Sequence, residues 1–368
     1  MKLSIFVTCF NNGYYIDRIL ASIDHIVLIH EDDFIEVVVV DDNGESGDPV
    51  CDLEYTVKNF KHNHFNTRII DVKYIKHPFN RGTLIARQTG VKNCTGDYII
   101  GVDGDDCLIP DDFDVIVNNL KKYKPDVCEC KCLTRRVSKE LTDKYKVKIG
   151  FYTAKENLLE FEEVVKHPMT WSKIVKRNVY MKAINMQPEI EHCVIAEDAF
   201  SSFTILLNAK TFLGLDVHFY YYEVDTTSSL TRRVEPDKLH DLSYTEYLEH
   251  AGFSIPLITP RLYGITCNIL ESLHLDKNPK IFRNVRYHIL SRFYNTDRNR
   301  FIALPNGRLK RLYEISCNEQ YGENIWNAML EALKEGNIWN YFTPNKLTDK
   351  YGIDDISNDP IKPYELDF

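Results

Sequence analysis

Apolar positions in the first 110 residues fall into short runs separated by stretches of helical spacing. Leu3 to Phe10 is a largely apolar run that reads as a strand, and Ile16, Ile19, Leu20, Ile23, Ile26 and Val27 then recur on one helical face. Ile35 to Val40 is a β-branched run that stops abruptly at Asp41, Asp42, Asn43 and Gly44, as a buried central strand does where it meets a turn. A third strand is predicted at Ile69 to Ile75, a helix at Leu84 to Val91, and a fourth strand at Tyr98 to Val102 running into Asp103. This alternation predicts an α/β domain with a mostly parallel, Rossmann-like central sheet flanked by helices. Right-handed crossovers place the C-terminal ends of such strands along one rim, where ligands bind. Asn11, Asp41, Asp42 and Asp103 to Asp106 fall on that rim.

Further on, Pro110 opens a helix to about Lys122, and a strand carries Cys128, Cys130 and Cys132. An irregular stretch then leads to a helix over Ala196 to Leu207 and a last strand over Phe219 to Val224. Beyond Arg233 the pattern becomes helical, at Asp237 to His250, Ile258 to Leu273 and Asn324 to Leu333, before a polar tail after Pro344. A boundary near residue 235 is therefore predicted, dividing the chain into 1–235 and a helical C-terminal region, 236–368.

The 368 residues suffice for a sizeable core, and the net charge of -9 argues against a nucleic-acid partner. No uncharged apolar run is long enough for a transmembrane helix, and no export signal is read at the N-terminus. Ten cysteines without such a signal suggest reduced thiols in a cytoplasmic protein. Alternate residues on one strand face lie about 6.8 Å apart. Three thiolates at that spacing cannot share one zinc, so Cys128, Cys130 and Cys132 read as small residues on one face. His62 and His64 lie in a polar, loop-like stretch without a role.

Candidate chemistry centres on Asp103-Gly104-Asp105-Asp106, three carboxylates at a strand end where Gly104 allows a sharp turn. Carboxylates so close repel unless a cation lies between them, and hard oxygen donors suit Mg2+ or Mn2+, which would bridge phosphate oxygens. The plain alternative is strand termination and helix capping, the role expected of Asp111 and Asp112. Glu197-Asp198, in the first turn of a predicted helix, admits the same capping alternative.

The motif Asn80-Arg81-Gly82-x-x-x-Ala86-Arg87-x-x-Gly90, the later Gly96-Asp97-Tyr98 and the strand into Asp103 together resemble the nucleotide-sugar core of the family 2 glycosyltransferases. So do Leu3 to Asn11 and the strand Val37 to Val40 ending in Asp41-Asp42, all in the family's order and spacing. The resemblance implies a GT-A fold for residues 1–235 and an inverting transfer from a nucleotide diphosphate sugar, UDP-sugar favoured, to an acceptor hydroxyl. Thr8, Phe10, Asn11, Asn80 and Gly104 would line the nucleotide sugar, with Asp41 or Asp42 on the base and ribose and Arg81 or Arg87 beside the nucleotide. Thr8 stands where proline is more usual, and Phe10 where tyrosine is. Asp103 and Asp105 would form the DXD pair on manganese or magnesium. Glu197-Asp198 resembles the family's ED motif, making Asp198, with Glu197 next, the base that takes the acceptor proton. Thr170 to Ile174 resembles the segment before that motif, where Trp171 lines a donor or acceptor pocket or is a core aromatic. Tyr220 to Thr231, with Ser228, Ser229 and Arg232, resembles the family's final strand and loop, and His218 is either a third metal ligand or structural.

Two rival classes share these features: a metal-dependent nucleotidyltransferase or phosphotransferase, and a nucleotide-sugar-binding scaffold without turnover. The expected acceptor is a glycan, a lipid-linked molecule or a protein. The C-terminal region, with Trp326, Trp339 and Tyr341, suits acceptor selection, self-association into a homo-oligomer or peripheral contact with the inner face of a membrane.

Overall fold

The computed structural model describes residues 1–135, 141–190, 193, 197–223, 262, 265–266, 268–285 and 288–289. Two compact units are present, Met1–Glu235 and Pro236–Phe368.

The first unit is built on one sheet. In chain order its strands are β1 (Lys2–Cys9), β2 (Phe34–Asp41), β3 (Ile69–Lys76), β4 (Tyr98–Asp103), β5 (Cys107–Leu108), β6 (Val127–Arg135), β7 (Leu141–Asp143), β8 (Gly150–Thr153), β9 (Lys173–Lys176) and β10 (Thr211–Tyr222). They are ordered β3-β2-β1-β4-β9-β6-β10-β5, with β7 on β6 and β8 on β10. The parallel arrangement expected from the sequence holds across β3-β2-β1-β4. Beyond it the sheet is mixed, because β9 runs antiparallel between β4 and β6 while β6 and β10 are parallel.

Helices α1 (Ile16–Asp24), α2 (Leu53–Asn63), α3 (Thr83–Asn93), α4 (Phe113–Tyr123), α5 (Glu162–Val165), α6 (Arg177–Asn185) and α7 (Glu197–Leu207) accompany these strands. Ile16, Ile19, Leu20 and Ile23 bury one face of α1, as their spacing predicts. Cys128, Cys130 and Cys132 join the same core from β6.

Several expectations are corrected. His62 lies on α2 and His64 caps its C-terminus, where a loop was expected. The helix expected from Pro110 begins at Phe113; Asp112 occupies its N-cap position but makes no side-chain capping bond. The last strand begins at Thr211, eight residues before Phe219, and ends at Tyr222. In the second unit, residues described between 262 and 272 are helical, followed by a single turn at Leu275–Lys277 and α8 (Pro279–Val285). The expected helices at Asp237 to His250 and Asn324 to Leu333, Ser228, Ser229 and Arg232, the tail after Pro344, and Trp326, Trp339 and Tyr341 lie outside the described residues.

One buried charge holds the parallel half together. Glu36, fully enclosed on β2, accepts bonds from Ser4 Oγ at 2.5 Å, Lys73 Nζ at 2.7 Å, Thr95 N at 2.7 Å and Lys2 Nζ at 3.2 Å. Burial alone would raise its pKa, yet the bonds from Lys73, Ser4 and Thr95 outweigh it and lower the value from 4.5 to about 2. Because the folded value is depressed, this stabilisation is present above 4.5 and is lost as pH falls through about 2. Glu36→Gln should cost about 3 kcal/mol at pH 7. Denaturant titrations of both proteins should show that deficit shrinking as pH falls below 4.5.

Candidate active site

The rim formed by the C-terminal ends of β1, β2 and β4 carries the residues singled out in the sequence. Thr8, near the end of β1, is in register with Val40 on one side and Asp103 on the other. After β1 the chain turns through Asn11, which has a left-handed φ of 55° and donates its N–H to Asn43 Oδ1 at 2.7 Å. The Phe10 N–H donates to Asn12 Oδ1 at 2.9 Å. Gly104 is required here, since a Cβ would come within 2.5 Å of the Thr8 carbonyl oxygen.

Asp41 and Asp42, both buried, do different work. Asp41 accepts bonds from Asn43 N and Nδ2 at 2.9 and 2.7 Å and from the Tyr74 hydroxyl at 2.5 Å. Asp42 organises the loop before α3: its carboxylate accepts the N–H groups of Arg81 and Gly82 at 2.8 and 2.9 Å and lies 2.7 Å from His77 Nδ1. Asn80 Nδ2 donates to the Asp42 carbonyl at 3.3 Å, and Gly82, at the N-cap of α3, takes a φ of 88° that favours glycine. Arg81 reaches outward, 3.7 Å from Glu189.

Arg87, on the buried face of α3, links the two acidic motifs. One guanidinium nitrogen donates to both Asp103 oxygens at 2.8 and 3.0 Å; the other donates to Glu197 Oε1 at 3.1 Å and to Asp198 Oδ1. The carboxylate at the end of β4 and those opening α7 therefore sit on opposite ends of one planar group. Burial would disfavour the arginine's charge, but Asp103, Asp198 and Glu197 raise its pKa further.

The carboxylates differ in access. Asp198 is 29% exposed and Glu197 9%. Burial, reinforced by the charge of Asp198, pushes Glu197 up to about 8, leaving Asp198 the accessible carboxylate of the pair. Burial also raises Asp103, with Arg87 opposing and Asp198 adding to the shift. Asp106 faces inward: it accepts the Tyr220 hydroxyl at 2.7 Å and the Glu223 N–H at 2.8 Å, and burial with the charges of Asp105 and Asp103 drives its pKa well up. The same Tyr220 oxygen accepts the Asp103 N–H at 3.1 Å, tying β10 to this loop.

That leaves Asp103 and Asp105, both partly exposed, facing the rim. Their hard oxygens fit a divalent cation, and among the described residues no group of three metal-ligating side chains is found, so phosphate or water oxygens would have to complete its shell. Arg18 donates to the Asp105 carbonyl at 2.6 Å and pairs with Glu223 at 2.9 Å, a support of this loop that carried no sequence signal. His218 sits elsewhere, its Nε2 2.6 Å from Asp143 Oδ1. Trp171 is buried and stacks on Tyr220 and Tyr222, with ring centroids 4.9 and 5.4 Å away. Thr170, its neighbour, donates to Asp198 Oδ1 at 2.9 Å, a contact that no local motif foretold.

A sheet of order β3-β2-β1-β4 with acidic residues at its rim and an antiparallel β9 beside β4 places the first unit among proteins of the GT-A fold. S. aureus TarS residues 1–349 share it with a TM-score of 0.54 at 18% identity, over 96% of this chain and 92% of that one. The same TarS segment in complex with UDP gives 0.52 at 19% identity, over 96% and 92%. Residues 4–182, just under half of the chain, match the family model Glycosyl transferase family 2, which supports a transferase enzyme of that kind. Glycosyltransferase GlyA of Streptococcus pneumoniae serotype 4 is 24% identical over 233 residues, 61% of this chain but only 30% of GlyA. Putative glycosyltransferase EpsH of Bacillus subtilis is 22% identical over 267 residues, 68% of each. Among the described residues no helix is long and apolar enough to cross a membrane.

Proposed function

We propose that this glycosyltransferase moves a sugar from a UDP-sugar to an acceptor hydroxyl with inversion at the anomeric carbon, assisted by Mn2+ or Mg2+. The reading is carried by the Arg87 bridge, which holds the strand-end carboxylate Asp103 and the partly exposed carboxylate Asp198 one guanidinium apart. A donor lying along the rim would then present its diphosphate to Asp103 and Asp105 and its anomeric carbon toward Asp198. The nucleotide is accommodated by the turn at Thr8 to Asn11 and by the loop Asn80 to Gly82 that Asp42 fixes. Asp198 takes the proton of the acceptor hydroxyl as its oxygen bonds to the anomeric carbon from the face opposite the leaving diphosphate. A divalent cation on Asp103 and Asp105 would neutralise the charge developing on that diphosphate. UDP as the nucleotide is supported by the likeness to the TarS fold, described there in complex with UDP. A cytoplasmic location, with the acceptor a glycan, a lipid-linked molecule or a protein presented at the inner face of a membrane, suits a chain with ten cysteines and no apolar span among its described helices.

The test is incubation with a panel of UDP-hexoses and UDP-N-acetylhexosamines plus manganese, read as UDP release with and without candidate acceptors. The purified chain should release UDP by slow hydrolysis and faster with the right acceptor. Asp105→Ala should lower that rate about 100-fold or more and abolish manganese-dependent UDP binding in calorimetry. Turnover of no donor, or equal UDP binding with and without manganese in both proteins, would overturn the corresponding part of the proposal.

A further inference from the structure

One carboxylate oxygen of Asp198 is held with more care than a simple surface base requires. Arg87 and Thr170 both donate to the same oxygen, Oδ1, while no hydrogen bond from the described residues reaches Oδ2. Thr170 is buried, and its place is fixed from two sides. On one side, Lys173 N–H donates to the Thr170 carbonyl at 3.1 Å, closing a tight turn. The fully buried Lys173 ammonium also ties the carbonyls of His167 at 2.5 Å and Met169 at 2.7 Å. Lys173 is in turn held by Glu129, enclosed on β6 at 3.7 Å, which also accepts the Ser172 hydroxyl at 3.3 Å. On the other side, Trp171 packs into the aromatic stack of Tyr220 and Tyr222. A lysine and a glutamate are seldom both fully buried, and breaking such a pair is costly. Here the pair serves to shape the seven-residue connection between α5 and β9, from which the Thr170 hydroxyl reaches Asp198.

We infer that Thr170 is a positioning residue for the acceptor base: with Arg87 it locks Asp198 Oδ1, so that Oδ2 is the atom that receives the acceptor proton. A carboxylate free to rotate about its Cβ–Cγ bond would present either oxygen at a range of angles, whereas two donors converging on one oxygen remove that freedom. The step balances simply. The acceptor O–H gives its proton to Oδ2, its oxygen forms the new bond to the anomeric carbon, and the sugar–phosphate bond breaks with its electron pair leaving on the diphosphate. The inference rests on the proposed role of Asp198.

The test uses the full chain and whichever UDP-sugar of the panel it turns over fastest, with water or acceptor as the second substrate. Thr170→Val keeps the shape and loses the hydroxyl; Thr170→Ser keeps the hydroxyl. Thr170→Val should lower kcat about 10- to 100-fold with the donor KM and the UDP affinity unchanged, and Thr170→Ser should recover most of that loss. Thr170→Ala, carried alongside, should match valine; it keeps the comparison open if valine packs poorly. Full turnover by valine and alanine, or equal impairment of valine, alanine and serine, would overturn the inference, because the hydroxyl would then not be what matters. Asp198→Asn separates the two levels of the argument. If it transfers normally, the role of Asp198 fails and this inference with it; if it is inactive while Thr170→Val is fully active, the inference alone fails.

Discussion

Asp198→Asn should lower transfer by about three orders of magnitude while leaving the protein folded and able to bind UDP. The asparagine has the same shape, and its carbonyl oxygen can still accept from Arg87 and Thr170, so the local geometry survives. It cannot take a proton from a hydroxyl at neutral pH, and that is the one property the chemistry asks of this side chain. Arg87 keeps Asp103 and Glu197 as partners, which is why the fold should tolerate the change. The donor KM should stay within a few-fold and the loss should fall on kcat, the pattern expected when an interaction made only in the transition state is removed. Glu197→Gln should cost far less: its carboxyl is buried and pushed up to about 8, so near neutrality it is largely protonated and already resembles the amide. Steady-state kinetics and thermal melts of both variants decide the matter. Comparable losses of kcat in the two would move the base assignment from Asp198 to the pair as a whole.

How far the sequence foretold this arrangement depended on how local each signal is. β1, β2 and β4 announce themselves because their central residues are apolar and buried on both faces. β9 escaped, since a strand opening on Lys173 and closing on Lys176 looks like surface, and nothing nearby in sequence reveals that Glu129 receives the first lysine. The early part of β10 escaped for a related reason: Gly214, Asp216 and His218 interrupt its pattern where the pairing to β6 shifts register. α2 has only Leu53 and Val57 buried, too few to mark a helix by periodicity. The site shows the same division. Asp103-Gly104-Asp105 and Glu197-Asp198 are legible as short motifs. Their connection is not, because Arg87 reaches 16 residues to Asp103 and 111 to Asp198. The same holds for Thr170, 28 residues from its partner. Sequence alone left Arg81 and Arg87 as equal candidates for the nucleotide; in the fold Arg87 turns inward to the acids and Arg81 outward to Glu189.

That inward turn makes Arg87 the position where substitution should cost the most stability. Arg87→Met would leave Asp103, Glu197 and Asp198 converging with no cation between them, and removing one partner from a buried charge cluster costs about 3–5 kcal/mol. Lysine should rescue only part of this, because a single ammonium cannot present two parallel edges to carboxylates on opposite sides. The dependence on pH tests the electrostatic origin directly. In the methionine variant the carboxylates, crowded and partly buried, would have folded-state pKa values raised above their unfolded ones. A raised carboxylate pKa means the folded state holds more protons, so the variant loses stability as pH rises from about 4 and regains it on acidification. In the parent, Arg87 remains charged throughout that range and offsets much of the repulsion. Denaturant titrations of Arg87→Met and the parent at pH 5 and pH 8 should therefore show a gap that widens by about 1–2 kcal/mol at the higher pH. A gap of equal size at both would assign the loss to packing of the long arginine side chain instead. Asp103→Asn in the methionine background should then narrow the gap at pH 8, since removing one of the crowded charges relieves the repulsion that the missing guanidinium used to neutralise.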